Sequence, residues 1–311
     1  MKGCGSMSEK YVVNVPVATV WTSPTSPREI DFIAISNDCN IKTWIATLQY
    51  ESLIDLYDSN RVQTQVLYGE EVHVVEVVKE WASVIIPSQP SSKRAKGYPG
   101  WIPIAQLVVT PSLEKKKYDQ IAIVTSKTAV LKKSEVQVEI ELSYATILPV
   151  HLNEGDRVLV HTPTGLGIIS AQDVVIGQSM KKGKNVDFIR SGEKFLGLPY
   201  LWAGMSSFGY DCSGFVYSIC RANGYVIPRD AHDQVTKGKE IPITELKAGD
   251  VIFFAYEEGK GAIHHVGFYY GDGQMLHSPK TGRNIEIIKL EGTIYEKELC
   301  AARRYSTEDI R

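Results

Sequence analysis

The sequence predicts a multidomain protein in which two small all-β barrels are followed by an α+β domain, with helices packed on an antiparallel sheet. Its 311 residues are enough for about two or three domains. Residues 11–177 consist mainly of short β-type runs separated by turn residues, which is typical of small barrels. Beyond a basic linker, helical patterns come first and strand patterns follow, which indicates an α+β domain.

The first barrel is predicted over residues 10–110, with strand-like runs at 70–78 and 81–87. Between its early strands, the segment "NIKTWIATLQYESLIDLY" (40–57) predicts one inserted helix. A long loop, "SQPSSKRAKGYPG" (88–100), also belongs to this barrel. Loops of that length inside compact domains are often functional.

The second barrel is predicted over residues 111–178, with strand-like runs in the same order as in the first. The closing segments "GWIPIAQLVV" (100–109) and "LGIISAQDVV" (166–175) share an Ala-Gln pair in register. The matched residues are Ala105 with Ala171 and Gln106 with Gln172. We interpret the two barrels as diverged copies of one unit, the second with only a short turn in place of the long loop.

The α+β domain is predicted over residues 185–311 and begins with two helices. "NVDFIRSGEKFLGLPY" (185–200) predicts an amphipathic helix. "YDCSGFVYSICRANGY" places apolar residues at i, i+3, i+4, i+7 and i+8, which predicts a second helix. Asp211 is its predicted N-cap and Gly224 its predicted end. The apolar residues expected inside are Val186, Ile189, Phe195 and Leu196 on the first helix, and Cys212, Phe215, Val216, Ile219 and Cys220 on the second.

Strands are predicted after these helices, at 250–256, 264–271 and 274–279. The "GDG" tripeptide at 271–273 predicts a hairpin between the last two. The hairpin register decides which of their side chains share a face of the sheet.

The composition argues against several classes of function. A formal net charge of -2 gives no reason to expect a nucleic-acid partner. Five cysteines without paired spacing indicate reduced thiols, and no CxxC or paired histidine spacing suggests a metal, so no cofactor is expected. "MKGCGSMSEK" lacks the apolar core of a secretory signal, and no run is long enough for a membrane span. We therefore expect a cytoplasmic protein, or a secreted or wall-associated one if a leader has been removed; the sequence does not indicate the oligomeric state.

Cys212 is the candidate nucleophile, because it lies in the first turn of the second predicted helix. The free N–H groups and the dipole at a helix N-terminus would stabilise a thiolate, and they could also hold a developing oxyanion. The alternative is a small buried residue, the commoner fate of cysteine. Cys220 and Cys300 are predicted to be structural.

His265 and His277 are the candidate base and orienting residue. If the hairpin turns about Asp272, His277 faces position 267 and shares a face with His265. A cysteine nucleophile needs a base, and the base needs a residue that orients it. Core packing is the alternative for a single strand histidine, and strict alternation would place His264 on the opposite face.

The motifs "LPYLWAG", "YDCSGFV", "IPRD", "LKAGDVIFF" and "HHVGFYYGDGQMLHS" occur in the order of the NlpC-type family of papain-like cysteine peptidases, which residues 185–305 resemble. The resemblance implies a papain-like fold with Cys212 as nucleophile, His265 as general base and His277 as orienting residue. It also implies that Tyr200 borders the oxyanion site. The family hydrolyses bacterial cell-wall peptides, typically between γ-D-glutamate and a diamino acid. The two barrels resemble the bacterial SH3-like domains found with such enzymes.

Asp230 departs from the family pattern, which usually has Ser or Thr after this arginine. One interpretation is a helix N-cap for the following segment. The other is a carboxylate that pairs with the free α-amino group of the substrate. The substrate would then be a released peptide, L-Ala-γ-D-Glu-diamino acid, as for members with N-terminal SH3-like domains and dipeptidyl-peptidase specificity. The preferred diamino acid, lysine or diaminopimelate, is not indicated.

Three further residues are candidates for lining the substrate cleft. Tyr98 lies in the long loop of the first barrel, with core packing as the alternative. Trp202 has the same two interpretations, and Ser213 would reach the substrate amine or solvate the helix start. Two other functions remain open: a secreted endopeptidase that cuts intact murein with the barrels as wall-binding modules, and a non-catalytic protein that binds wall peptides.

Overall fold

The computed structural model describes residues 10–110, 118–133 and 138–306. In the described part the chain forms two seven-stranded sheets followed by a six-stranded sheet with helices against it. This confirms the predicted fold class of two all-β barrels followed by an α+β domain. No helix among the described residues is both long and apolar enough to cross a membrane.

The first sheet is antiparallel, with the spatial order β3-β2-β6-β5-β4-β1-β7. Its strands place β-branched residues such as Val17 and Val20 inward, where they pack well on a pleated surface. The strands are β1 (Lys10–Val13), β2 (Val17–Trp21), β3 (Val62–Leu67), β4 (Glu71–Val78), β5 (Trp81–Ile86), β6 (Tyr98–Pro103) and β7 (Leu107–Thr110).

Helices are inserted between β2 and β3, as predicted, but not as one helix. They are α1 (Phe32–Ile35), α2 (Ile41–Thr47) and α3 (Tyr50–Asp58). The break falls at Leu48, which has extended backbone angles and a buried side chain. Just before it, the Thr47 hydroxyl donates to the carbonyl of Trp44, a local bond of the kind that bends helices. The chain therefore forms α2 and α3 as two separate helices on either side of Leu48.

The second sheet repeats the first. Its order, β10-β9-β13-β12-β11-β8-β14, matches that of the first sheet strand for strand. In each sheet a short 3-10 helix before the last strand holds the matched Ala-Gln pair. The predicted repeat is therefore confirmed. The strands are β8 (Ile121–Val124), β9 (Thr128–Lys133), β10 (Val138–Ser143), β11 (Ile147–Asn153), β12 (Arg157–Thr162), β13 (Gly165–Ser170) and β14 (Val174–Gly177).

The third region packs helices on the third sheet. Its strand order is β17-β22-β18-β19-β20-β21, and the separate β15 and β16 form a small hairpin. The helices are α4 (Asn185–Glu193), α5 (Cys212–Ala222), α6 (Ala231–Gln234), the one-turn α7 (Tyr256–Gly259) and α8 (Ile294–Glu298). The strands are β15 (Met205–Ser206), β16 (Gly209–Tyr210), β17 (Lys239–Glu240), β18 (Val251–Ala255), β19 (Ile263–Gly271), β20 (Gln274–His277), β21 (Glu286–Lys289) and β22 (Leu299–Arg304).

The first helix of this region is shorter than predicted, whereas the second is as predicted. α4 ends at Glu193, and a turn with Gly197 at positive φ follows. Val186 and Leu196 are exposed, and Phe188 fills the core in their place. α5 begins at Cys212 and is buried through its length, and Gly224 follows its end with a φ of 82°.

The first barrel is fused to the third region through buried polar contacts. Arg221 on α5 forms a buried ion pair with Glu70 at 2.7 Å. The backbone amide of Met205 donates to the side-chain oxygen of Gln65 over 3.0 Å. Apolar residues of both regions belong to one continuous core. The first barrel and the helix that begins at Cys212 are therefore held in a fixed relation.

Candidate active site

A cavity of about 850 Å³ lies between the first barrel and the third region. Cys212, His265 and Asp230 line it from the third region. None of the described residues of the second barrel lines it. The first barrel contributes Tyr50, Ile54, Tyr57, Gln63, Lys93 and Tyr98.

The start of α5 places Cys212 at the cavity wall. The side chain of Asp211 accepts a hydrogen bond from the Gly214 amide at 2.6 Å, so Asp211 is the N-cap that the sequence predicts. Gly214 leaves the space this needs, since a Cβ there would lie 2.1 Å from the carbonyl oxygen of Gly204. The Arg229 guanidinium donates two hydrogen bonds, of 2.7 and 3.2 Å, to the Asp211 carboxylate and fixes its position.

The surroundings of Cys212 act on the pKa of its thiol in two opposing directions. Burial raises the pKa of its thiol to about 12, and the Asp211 carboxylate adds to the rise. Arg229 and the backbone N–H groups of Ser213 and Val266 act in the opposite direction on this pKa, but their effect is smaller. Burial of the thiol thus opposes the thiolate that the helix start favours, and the stabilised thiolate stays a prediction.

His265 and His277 meet as the hairpin register predicts. Their rings are joined by a hydrogen bond of 2.8 Å between His265 Nε2 and His277 Nδ1. Phe268 pairs with Leu276 in the register, which sets position 267 opposite His277. Glycine leaves little but sufficient space there, because a Cβ on Gly267 would lie 2.8 Å from the sulfur of Met275 and 3.0 Å from the Cβ of His277. Both imidazoles are buried.

Burial disfavours the charged form of both imidazoles. It lowers the pKa of His265 well below its ordinary value, and the neighbouring His277 adds to this effect. Burial likewise lowers the pKa of His277 to about 3, with a smaller contribution from the Arg283 guanidinium. His277 Nε2 lies 3.7 Å from a carboxylate oxygen of Glu286, which in turn pairs with Arg283 at 2.8 Å.

His265 lies on β19 and lines the same cavity as Cys212. The next residue, Val266, presents its backbone N–H to the Cys212 thiol. Because the Nε2 atom of His265 faces His277, its Nδ1 atom is the ring nitrogen left for chemistry in the cavity. The arrangement thus provides a thiol, a neutral imidazole and a second imidazole that orients the first.

His264 lies on the cavity side, so the prediction from strict alternation is wrong. β18 pairs Phe254 with His265 and Ala255 with Ile263, which leaves His264 in a β-bulge. Its imidazole stacks on Tyr256 at 4.1 Å and bonds Glu298 at 3.0 Å. Since both partners also line the cavity, His264 belongs to its wall.

Tyr200 and Trp202 both line the cavity and are also packed against protein. Burial raises the pKa of Tyr200 well above its ordinary value, with a further contribution from Cys212. The Trp202 ring meets Tyr57 of α3 edge-on, with centroids 4.5 Å apart. The two interpretations of Trp202 are therefore not exclusive, because one side chain serves the core and the cavity.

Asp230 faces the cavity and does not cap a helix with its side chain. It occupies the N-cap position of α6, but its carboxylate makes no capping hydrogen bond there. It accepts hydrogen bonds of 3.0 and 3.1 Å from the Tyr98 hydroxyl. The interpretation of Asp230 as a side-chain N-cap is wrong, because its carboxylate instead links the third region to the first barrel.

Tyr98 and Ser213 take part in the network around Asp230. Tyr98 is almost fully buried, yet its hydroxyl end reaches the cavity. The hydroxyl of Ser213 accepts a hydrogen bond of 2.7 Å from Arg229. Ser213 is thus fixed beside the start of α5 and does not merely solvate it.

Several cavity residues are missed by the sequence analysis. Arg229 is buried and bonds both Asp211 and the Thr64 hydroxyl, at 3.0 Å, so it joins the helix cap to the first barrel. Tyr57 comes from the inserted helices, and Gln63 and Lys93 come from β3 and the long loop. The position of Arg229 next to Asp230 was a usable signal, whereas the barrel residues depend on how the domains dock.

The fold and the site define a papain-like cysteine hydrolase, with a thiol at a helix N-terminus and paired imidazoles on the adjoining sheet. Residues 197–304 match the NlpC/P60 family, and residues 124–176 match the YKFC SH3b2 domain. The chain belongs to the NlpC/P60 family.

Full-length relatives show the same architecture. The chain is 51% identical over 299 residues to the γ-D-glutamyl-L-lysine dipeptidyl-peptidase of Bacillus subtilis, covering 96% of this chain and 99% of that one. It is 37% identical to the protein of the same name from Bacillus cereus, covering 95% and 91% of the two chains. The crystal structure of an NlpC/P60 family protein from Bacillus cereus superposes with a TM-score of 0.92, at 38% identity and 96% and 99% coverage.

Proposed function

We propose that this protein is a cysteine dipeptidyl-peptidase that hydrolyses the γ-D-glutamyl-L-diamino acid bond of cell-wall peptides with a free N-terminal L-Ala. It would release L-Ala-γ-D-Glu during the turnover or recycling of murein peptides. Two named dipeptidyl-peptidases that align over nearly the whole chain support the reaction. The observation that carries the free-amine requirement is the Asp230 carboxylate, turned into the cavity by Tyr98.

Acylation uses the Cys212 thiol as nucleophile and the His265 imidazole as base. Cys212 Sγ attacks the γ-carbonyl carbon of the D-glutamyl residue, while the thiol proton passes to His265 Nδ1. The developing oxyanion is held by the Cys212 backbone N–H, free at a helix N-terminus, and by the Tyr200 hydroxyl. The S–C bond forms, and the carbonyl π electrons move to oxygen.

The leaving group is the amine of the diamino acid. His265 donates its proton to this nitrogen, the C–N bond breaks and the diamino acid end departs. Water then attacks the thioester, with His265 as general base, and the dipeptide leaves with a new carboxylate. The proton returns to Cys212, so the enzyme ends as it began.

His277 acts as a positioning residue in this scheme. Its Nδ1 accepts the Nε2–H of His265, which fixes the tautomer with a free Nδ1. The His277 Nε2–H then points toward Glu286, which polarises it from 3.7 Å. Burial lowers the pKa of both rings, which favours the neutral form of His265 that can accept a proton.

The preference for a peptide with a free amino end follows from the contact between the first barrel and the third region. The hydrogen bond between Tyr98 and Asp230 joins the first barrel to the third region beside the cavity. A free α-ammonium group can form a charge-assisted hydrogen bond with Asp230, whereas the neutral amide of an N-acylated peptide cannot form an ion pair with this carboxylate. The proposal therefore predicts that intact murein, in which the peptide amino end is acylated, is not a substrate.

Cleavage of L-Ala-γ-D-Glu-L-Lys and its N-acetylated copy tests this function. We expect rapid cleavage of the free tripeptide, a loss of at least about 100-fold in kcat/KM on acetylation, and no cleavage by Cys212→Ala. Equal cleavage of both peptides would remove the free-amine requirement. Cleavage of neither would contradict the substrate class and favour a protein that only binds wall peptides. Clearing of purified murein would favour the secreted endopeptidase.

A further inference from the structure

Lys93 places an ammonium group in the subsite formed by Asp230, Tyr98 and Gln63. Its Nζ atom donates to the Tyr98 hydroxyl oxygen and, at 2.9 Å, to the side-chain oxygen of Gln63. Asp230 Oδ2 lies 3.6 Å from Nζ. The same ammonium also lies over the Tyr98 ring, 4.4 Å from its centroid. The surroundings of Nζ are thus three oxygen acceptors and one aromatic face.

The polar atoms around Lys93 are arranged to accept hydrogen bonds. Gln63 donates its amide hydrogens to Thr22 Oγ1 at 2.7 Å and to Asn60 Oδ1 at 3.1 Å, which turns its oxygen toward Nζ. The Tyr98 hydroxyl gives its own hydrogen to Asp230, which leaves its lone pairs for the ammonium. A primary ammonium has three N–H donors, and this subsite offers three acceptors.

The α-ammonium group of a peptide presents the same three donors as Lys93. We propose that Lys93 is an internal competitor for this subsite, which occupies it in the free enzyme and leaves it when a free-amine peptide binds. This inference rests on the proposed function, because it takes the substrate to carry an α-ammonium group. It makes Lys93 a residue that sets affinity for the peptide without touching the scissile bond.

Only the side chain of Lys93 has to move for this exchange. Two hydrogen bonds to the third region hold the loop backbone just before Lys93. Ser92 N donates to Asp233 at 2.8 Å, and Arg229 N donates to the Pro90 carbonyl at 3.0 Å. The Lys93 side chain is 39% exposed, so it has a route to water by rotation about its own bonds. Substrate binding must replace the interactions that Lys93 gives up, and this weakens the observed affinity.

Replacing Lys93 by methionine tests the competition, because methionine keeps an unbranched stem and removes the charge. Binding of L-Ala-γ-D-Glu is measured by calorimetry in a Cys212→Ala background. We expect Lys93→Met to bind the dipeptide about five-fold more tightly, the factor that corresponds to roughly 1 kcal/mol for a partly exposed ion pair. Lys93→Gln should show the same direction of change.

Lys96→Met is the matched control. Lys96 is an exposed residue of the same loop, so its replacement changes the net charge equally. We expect its dipeptide affinity to stay at the parent value. N-acetyl-L-Ala-γ-D-Glu should gain nothing in Lys93→Met, because it has no ammonium to take the vacated acceptors.

The outcomes separate this inference from the proposed function. An unchanged or weaker dipeptide affinity in both Lys93 variants overturns the competition. In that case the free-amine requirement still stands if the wild-type enzyme discriminates against the acetylated tripeptide, and only the competition by Lys93 is lost. Equal cleavage of free and acetylated tripeptides by the wild type would remove the requirement itself. An equal gain in affinity for Lys96→Met would assign the effect to general charge, and the specific role of Lys93 would be lost.

Discussion

The two barrels share one strand order but play different parts in the molecule. The first barrel shares a continuous core with the third region and lines its cavity. Most buried apolar residues of the second barrel, among them Leu131 and Leu142, form a second cluster, although Tyr144 and Ala145 belong to the continuous core. The second barrel meets the third region through contacts such as that of Ser143 with the Ser207 amide, 2.9 Å long.

The difference between the barrels lies in two connections and not in the sheets. The first barrel has helices between β2 and β3, where residues 134–137 join the corresponding strands of the second. It has residues 87–97 between β5 and β6, where the second barrel has only residues 163–164. The added segments carry Tyr57 and Lys93 into the cavity. Function in such a fold is therefore set by its loops, which the sheet holds in place.

The largest expected effect on stability comes from breaking the buried ion pair between the first barrel and the third region. Glu70→Ala leaves Arg221 as a buried charge without its partner, so we expect the free energy of unfolding to fall by about 3–5 kcal/mol. Urea unfolding followed by circular dichroism measures this change. Ser143→Ala, at the second barrel's contact, is the control and should cost roughly 1–2 kcal/mol. Similar losses for the two variants would contradict the difference in docking.

A cavity in the second barrel should affect stability without affecting catalysis. Leu131 is fully buried in that barrel's own core, and Leu131→Ala should cost about 2–5 kcal/mol. Because no described residue of the second barrel lines the catalytic cavity, kcat/KM of the folded enzyme should stay within about two-fold of wild type. A larger change in kcat/KM would show that this barrel also acts on the site.

Each of two regions, the second barrel and the third region, contains a pair of neighbouring histidines, and the two pairs differ in their expected effect on stability at acidic pH. His151 and His161 in the second barrel have ring centroids 5.0 Å apart at 83°, nearly the geometry of His265 and His277 at 5.0 Å and 82°. The first pair is exposed, whereas the second is buried. Their similar geometry makes one pair a control for the other.

Unfolding should become easier as the pH falls, because of the buried pair. Burial lowers the pKa of His277 to about 3, whereas an unfolded histidine takes up its proton near pH ~6.5. The unfolded state thus binds more protons between these values, and stability is lost as pH falls through this range. His277→Asn should reduce that slope by about 1.4 kcal/mol per pH unit. Urea unfolding from pH 4 to 7 measures it, with His161→Asn as control; equal slopes in wild type and His277→Asn would refute the assignment.

The smallest of these effects concerns the hydroxyl that bridges the domains. Tyr98→Phe keeps the packed ring but removes the hydrogen bond to Asp230. We expect kcat/KM for the free tripeptide to fall about tenfold, since hydrogen bonds to charged groups are worth roughly 1.5–3 kcal/mol. The weaker hold on Lys93, which loses an acceptor as well, offsets only part of this loss. Tyr68→Phe, a buried tyrosine of the same barrel away from the cavity, is the control. Equal rates for Tyr98→Phe and wild type would exclude Tyr98 from the subsite.

The residues predicted from sequence are those whose positions follow from local periodicity. The helical pattern after Asp211 fixes Cys212 at a helix start, and the short hairpin fixes the register of His265 and His277. Both relations span few residues, so they depend little on the rest of the fold. They give the site its chemistry.

The rest of the site depends on tertiary contacts that periodicity does not describe. The break at Leu48 reflects how two short helices pack on a barrel, and the position of His264 reflects one bulge in a sheet pairing. The pKa of Cys212 follows from burial, which a helix start does not reveal. Lys93 and Asp230 are more than a hundred positions apart in sequence and meet only because the domains dock.

The contact between Tyr98 and Asp230 has a consequence for what the enzyme produces. A substrate positioned by its amino end is always cut at the same distance from that end, whatever follows the scissile bond. Under the proposed reaction, wall peptides with different diamino acids, tails or cross-links all yield one dipeptide. A single downstream enzyme that acts on L-Ala-γ-D-Glu would then suffice for a varied mixture of wall fragments.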